Sequence, residues 1–195
     1  MQTQLIKNKK AQRKELLAKR RMLSQEQKNE YSKQITEKLL ALASYKEAKV
    51  CMMYASMKDE FQTKDFIVEA IKAGKQICLP YVSDKQLKIM HATKINSLDE
   101  LVEGAYGILT VAKDKLNIIN PQDIDFVLVP AVGFDRNGYR LGMGGGYYDR
   151  YLKMATKAKL VSGIYSCQLV DEIIKDDYDA QVDFVLTENE TIQCK

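Results

Sequence analysis

Residues 140–151, Arg-Leu-Gly-Met-Gly-Gly-Gly-Tyr-Tyr-Asp-Arg-Tyr, concentrate the residue types that can hold a polyanion. Four of the chain's ten glycines fall here, Gly142, Gly144, Gly145 and Gly146, three of them consecutive. Without a Cβ, a glycine lets backbone amides approach a ligand and reaches positive φ at little cost. Arg140 offers a guanidinium fork for phosphate oxygens, Asp149 a carboxylate able to hold Mg²⁺, and Tyr147 and Tyr148 stacking faces. Such a loop, opening a helix, would aim amides and the positive end of the helix dipole at an anion, and phosphate is the natural one. Two familiar phosphate loops fail on spacing. No Lys-Ser or Lys-Thr follows the glycines, as G-x-x-x-x-G-K-[ST] requires. The dinucleotide pattern G-x-G-x-x-G begins at Gly142-Met143-Gly144 but meets Tyr147 at its third glycine. On the glycines alone, a turn used for tight packing stays open.

The elements that must position this loop read as an α/β chain. Residues 125–130, Asp-Phe-Val-Leu-Val-Pro, form an apolar strand of the kind buried on both faces, and Asn137-Gly138 marks a tight turn before the loop. From Tyr147 onward the spacing of Tyr151, Leu152 and Ala155 predicts a helix, and residues 160–165 and 182–186 predict two further strands. Upstream, residues 50–54 are a strand followed by the polar loop 56–60. Thr63 is then a good N-cap for a helix through Phe66, Ile67, Ala70 and Ile71 that stops at Gly74. Residues 76–81 are strand again, so this is a β-α-β unit with parallel strands and a right-handed crossover. Ligands bind at the carboxyl ends of such strands, where the loop carrying Asp59 and Glu60 lies. Residues 86–91 alternate as a half-exposed strand. Ser97 and Glu100 form a capping box for a short helix ending near Gly104, and residues 104–121 read as a connecting segment.

The first forty-odd residues are helical by spacing, with Ser24 and Gln27 as the capping box of a second helix. Eight basic residues crowd residues 7–21. They form either a solvated helix face or an arm that brings cations to a phosphate site. Alternating strands and helices predict an α/β fold, a three-layer sandwich around a mainly parallel sheet with a helical N-terminal segment, and 195 residues suit a single domain, 1–195. The composition, 46% hydrophobic and 29% charged, excludes a disordered chain. Four scattered cysteines argue against a zinc site or a disulfide scaffold, and a single histidine, His91, limits histidine-dependent catalysis to one residue that nothing nearby orients. A net charge of +4 is too mild to demand nucleic acid. No uncharged run approaches membrane-spanning length and no signal-peptide core is visible, so the expectation is a cytoplasmic protein with no membrane or nucleic-acid partner.

Residues 130–135, Pro-Ala-Val-Gly-Phe-Asp, followed by residues 138–152, resemble the signature of the 5-formyltetrahydrofolate cyclo-ligase family, also called 5,10-methenyltetrahydrofolate synthetases. The basic N-terminal helix, the Met57-Lys-Asp-Glu60 loop with Thr63, and the closing Val182-Asp-Phe-Val-Leu-Thr187 agree with it. The resemblance implies an ATP- and Mg²⁺-dependent ligase that converts 5-formyltetrahydrofolate to 5,10-methenyltetrahydrofolate, ADP and phosphate; a monomer is the separate expectation. It implies ATP contacts at Lys9, Arg13, Arg140, Leu141, Gly142, Met143, Gly144, Gly145, Gly146, Tyr147 and Tyr148. Lys10 competes with Lys9, because both stand within a turn of Arg13. Folate contacts would fall on Ala55, Glu60 and the loop from Met143 through Gly144, Gly145 and Gly146 to Tyr147. Metal ligands would fall on Asp149 and Asp183. Other readings stay open: Asp149 as a helix-dipole partner, Asp183 as a strand-end cap, Glu60 as a solvated loop carboxylate. Some members carry a lysine where this chain has Gly145, which shifts the expected charge toward Arg140, Lys9 and Arg13. No side-chain nucleophile is required, since phosphoryl transfer asks for alignment and charge stabilisation, here chiefly by Arg140 and Tyr147. A sequestering protein without turnover and an RNA-binding protein using the basic helix are the rival classes.

Overall fold

The computed structural model describes residues 2–175 and 179–195, and of residues 2–7 the backbone alone. Helices α1 (Gln2–Arg21) and α2 (Gln25–Ala41) are separated by the predicted capping box, in which Ser24 Oγ accepts from the Gln27 amide and the Gln27 side chain accepts from the Ser24 amide. A short α3 (Ala43–Glu47) leads into strand β1 (Val50–Met52), helix α4 (Lys64–Lys72) and strand β2 (Gln76–Asp84). A hairpin turns β2 into β3 (Ile89–Ile95). Then come β4 (Leu101–Glu103), β5 (Leu109–Val111), β6 (Ile118–Ile119), β7 (Phe126–Leu128), β8 (Gly133–Asp135) and β9 (Arg140–Leu141). Helix α5 (Tyr147–Tyr151) follows the glycine loop, and β10 (Lys159–Gly163), β11 (Leu169–Val170), β12 (Phe184–Leu186) and β13 (Thr191–Gln193) complete the chain.

The main sheet has the order β13-β12-β10-β7-β1-β2-β3-β6, parallel from β12 to β2 and antiparallel at both edges. Alternation along the parallel strands sends side chains to two cores. Cys51, Met53, Ile77, Leu79, Phe126 and Leu128 meet Ile35 and Leu39 of α2 and Phe66, Ile67 and Ala70 of α4. Met52, Cys78, Val127, Val129 and Val185 meet Tyr151 and Leu152 at α5. Helices therefore cover both faces, which is the three-layer arrangement the sequence predicts. Outside the main sheet, β11, β8 and β9 form a small sheet, on which Leu16 of α1 packs with Val132, Leu141 and Ile173. No helix among the described residues is long and apolar enough to cross a membrane.

Strand β1 pairs with β2 on one side and β7 on the other. The chain's crossover after β1 carries α4 on one face, whereas the connection after β7 carries α5 on the other. The order therefore reverses between β1 and β7, and a crevice opens beyond the carboxyl ends of these two strands.

Several local expectations change. The strand expected over residues 86–91 begins only at Ile89, after a turn at 85–88, and the connector expected over 104–121 carries β5 and β6. Thr63 stands at the N-cap of α4 as expected, but its hydroxyl makes no capping bond; it donates to the Tyr54 carbonyl at 2.6 Å and accepts from the Ser56 amide at 3.2 Å. Ser97 Oγ accepts from the Asp99 amide, so the helix expected toward Gly104 is a single 3-10 turn, Leu98–Glu100, and Leu101 onward pairs with β5 instead. The helix expected to reach Ala155 stops at Tyr151, where the Met154 amide bonds back three residues to Tyr151.

Candidate functional site

A cavity of about 540 Å³ occupies the crevice. Its floor is the chain leaving the two central strands, Tyr54 and Ala55 after β1 and Pro130 and Ala131 after β7. One wall is the loop that carries Glu60, a second is the glycine loop, and a third is the β4–β5 hairpin with Tyr106, Ile108 and Thr110.

The glycine wall is set by the β8–β9 turn. Asp135, 1% exposed, accepts from the amides of Asn137 and Tyr139, both at 3.0 Å, and from Ile173 N at 3.2 Å. This fixes the register that delivers Arg140 to the cavity. The Arg140 side chain is 5% exposed, forms an ion pair with Asp149, and stands 5.8 Å from the Tyr148 ring. A Cβ on Gly142 would lie 2.8 Å from Arg140 Nη1, so a side chain there would displace the guanidinium. Gly144 has φ +92 and Gly146 +72, backbone that side chains with a Cβ rarely adopt. Two buried donors on this wall, Arg140 Nε and the Tyr148 hydroxyl, make no hydrogen bond. Burial pushes the Tyr148 hydroxyl far above its usual range and so keeps its proton in place. A wall of amides, a guanidinium and two unused donors suits a ligand rich in acceptor oxygens.

The opposite wall is apolar with one carboxylate. Glu60 Oε2 accepts from the Met57 amide at 2.9 Å. Burial pushes the Glu60 carboxyl up, against the Met57 bond and the charge of Arg20, both of which favour the ionised form. Across the mouth, the hydroxyls of Tyr106 and Tyr147 are 3.0 Å apart and their rings meet edge to face. That bond raises the Tyr147 hydroxyl from its usual range.

The expected residues divide clearly. Ala55, Glu60, Arg140, Gly142, Met143, Gly144, Gly145, Gly146, Tyr147, Tyr148 and Asp149 line the one cavity. Leu141 points away from it into the core under α1. Arg13 reaches the loop from behind: its Nε donates to the Gly142 carbonyl at 2.7 Å, and a Cβ on Gly144 would come within 3.4 Å of its Nη2. Lys9 shares that face of α1 and pairs with Asp179, whereas Lys10 is exposed. Asp183 is elsewhere. Its carboxylate accepts from the Leu160 amide at 2.8 Å and lies 3.4 Å from Lys159 Nζ, at the amino ends of β10 and β12. The cavity lies at the carboxyl ends, so Asp149 and Asp183 are not brought together as a metal pair. No group of three or more potential metal-ligating side chains occurs among the described residues.

Sequence reasoning missed Tyr106 and the buried polar residues behind the Glu60 loop. Tyr106 falls in the stretch expected to be a connector, although Gly104 and Gly107 on either side of it are turn signals; its φ of 61 is unusual for a residue with a side chain.

The sequence model of the 5-formyltetrahydrofolate cyclo-ligase family matches residues 5–188. A 5-formyltetrahydrofolate cyclo-ligase of Mycoplasma pneumoniae is 34% identical over 93% of this chain and 99% of its own length, and one of Mus musculus is 31% identical over 91% and 92%. The solved structure of Aquifex aeolicus 5,10-methenyltetrahydrofolate synthetase has 34% identity and a TM-score of 0.85, covering 96% of this chain and 93% of that one. With most of the expected residues gathered in one crevice and nearly the full length matched, the chain belongs to the 5-formyltetrahydrofolate cyclo-ligase family.

Proposed function

We propose that this enzyme couples ATP cleavage to closure of 5-formyltetrahydrofolate into 5,10-methenyltetrahydrofolate, with ADP and phosphate as the other products. The observation that carries the reading is the pairing of an acceptor-seeking glycine wall, bearing Arg140, with a carboxylate wall, bearing Glu60, across one cavity. Glu60, ionised, accepts from the N–H groups of a pterin-like ring laid against Ala55. Amides of Gly142 to Gly146 and the Arg140 guanidinium hold the triphosphate, and Tyr147 stands between the two reactants. Arg13 supports this loop from behind, and Lys9 lies on the same helix face.

The formyl oxygen attacks the γ-phosphorus and the bond to ADP breaks, which leaves an iminium phosphate. N10 then attacks the former formyl carbon and gives up its proton. The carbon–oxygen bond breaks and phosphate carries the oxygen away. Holding the formyl oxygen in line with the γ-phosphorus supplies much of the rate enhancement, and Arg140 neutralises charge as it moves onto ADP. Magnesium enters as the companion of ATP. Asp149 is the one carboxylate of the expected pair near the phosphates, and it already faces Arg140. The residues therefore do not fit a two-aspartate metal site. We take the protein to act in the cytoplasm as a monomer.

The test is a reaction of purified protein with ATP, Mg²⁺ and 5-formyltetrahydrofolate, followed by the near-ultraviolet absorbance of a methenyl folate and by phosphate release. Both signals are expected in equal amounts. Folate binding without phosphate release identifies a sequestering protein and overturns the reading.

A further inference from the structure

Among the polar residues that helix α2 buries, Lys28 and Ser32 stand one turn apart, each 5% exposed. Burying a lysine costs free energy unless its charge is paired, and an apolar residue at this point of an amphipathic helix would pack without that penalty. Both side chains reach the same place, the loop that carries Glu60. Lys28 Nζ donates to Asp59 Oδ1 at 2.8 Å, the residue beside Glu60. Arg21 of α1 lies on the other oxygen of Asp59 at the longer distance of 3.9 Å. Ser32 Oγ accepts from the Gln62 amide at 3.0 Å and lies 3.1 Å from the Tyr165 hydroxyl. Tyr165 is fully buried and donates to the Glu60 carbonyl at 2.8 Å. Residues 59, 60 and 62 are thus each gripped from the side of the loop away from the cavity.

We propose that Lys28, with Ser32 and Tyr165, is a positioning residue for Glu60, presetting the carboxylate that recognises the folate ring. The inference rests on the role of Glu60 given under the proposed function. Lys28 does not line the cavity and touches no substrate. It acts through Asp59 and the loop. The lysine end of the pair is buried while Asp59 is 34% exposed, so the Lys28–Asp59 pair is shielded from solvent on one side and holds its geometry better than a fully exposed pair would. The polar edge of α2 therefore belongs to the folate half of the site, although it lies in a helix that otherwise serves the core.

Steady-state kinetics of Lys28→Met, with 5-formyltetrahydrofolate and ATP varied separately, tests this. The KM for the folate is expected to rise roughly tenfold while kcat and the KM for ATP stay within about twofold. Lys28→Arg should recover most of the loss. In a Glu60→Gln background, Lys28→Met should add little, because the group it positions is already gone. An unchanged folate KM, a fall in kcat with KM intact, or a full further effect in the Glu60→Gln background overturns the proposal. If Lys28→Met does not fold, Tyr165→Phe carries the same expectation, and an unaltered folate KM in that variant overturns it equally. Glu60→Gln alone separates the two levels. No folate effect from it removes the assigned role of Glu60 and the proposal with it, whereas a folate effect from Glu60→Gln but not from Lys28→Met removes only the positioning.

Discussion

Residues 56–63 and residues 142–146 face the same cavity, yet the first are fixed by side-chain bonds and the second rest on backbone geometry. In the first loop Ser56 and Thr63 exchange amide and hydroxyl bonds, Gln62 Nε2 donates to the carbonyls of Met57, Lys58 and Glu60, and α2 grips the outer side. In the second, Arg13 supports Gly142 and the path is otherwise written in glycine φ angles, with Met143 63% exposed. A flat heterocycle presents fixed donors, and a preset wall recognises it with little ordering on binding. A phosphate chain changes shape and charge as it is cleaved, and a wall of amides can follow it. On the proposed function, the difference between the loops is one of what each ligand demands.

The largest effect should come from breaking the backbone side of this contrast. Gly144→Val places a β-branched residue at φ +92 with its Cβ against Arg13, so kcat/KM for ATP should fall about a hundredfold while the folate dissociation constant changes little. Equal losses for both ligands would show that the two walls are one unit. Next comes the braced side. Thr63→Val keeps the shape of a fully buried residue but strands the Tyr54 carbonyl and the Ser56 amide, at a cost of about 2 kcal/mol in urea unfolding. A loss within experimental error would mean that the loop does not depend on its brace.

The smallest effect concerns pH. Burial raises the Glu60 carboxyl, so the folded protein holds that proton more tightly than the unfolded chain does. The resulting stability is complete below the unfolded pKa of about 4.3 and is lost as pH rises through the folded value. Glu60→Gln should therefore raise Tm by about 2 °C at pH 7, with the gain disappearing below about pH 4. A lower Tm at pH 7 would show that the ionised carboxylate helps hold its own wall.

How much of this was legible in the sequence differed along the same line. Glycine, Arg140 and the Asn137-Gly138 turn announce themselves, because few residue types satisfy a positive φ or a phosphate fork. The capping box at Ser24 and the β-α-β unit follow from local spacing in the same way. Lys28, Ser32 and Tyr165 could not be found so, since their meeting with residues 59–62 depends on helix and strand packing across 30 to 105 residues of chain. Thr63 illustrates a subtler limit: its type suited a cap, but a carbonyl brought close by β1 offered its hydroxyl a better partner. Asp183 shows the reverse error. A carboxylate within a recognised motif was assigned to a metal, whereas strand order puts it at the far end of the sheet and gives it the Leu160 amide.

Helix α1 closes the molecule over long sequence separations: Arg13 meets Gly142, Gln12 meets Glu172 and Ile174, and Leu16 meets Val132 and Ile173. During synthesis this helix leaves the ribosome well before any of those partners exists. At roughly 5 to 20 residues per second, Arg13 waits on the order of ten seconds for Gly142. Its many lysines and arginines suit that interval, since a charged segment with little apolar surface stays solvated and resists aggregation while unpaired. The nascent chain thus carries a solvated basic segment long before it has the glycine loop that Arg13 supports.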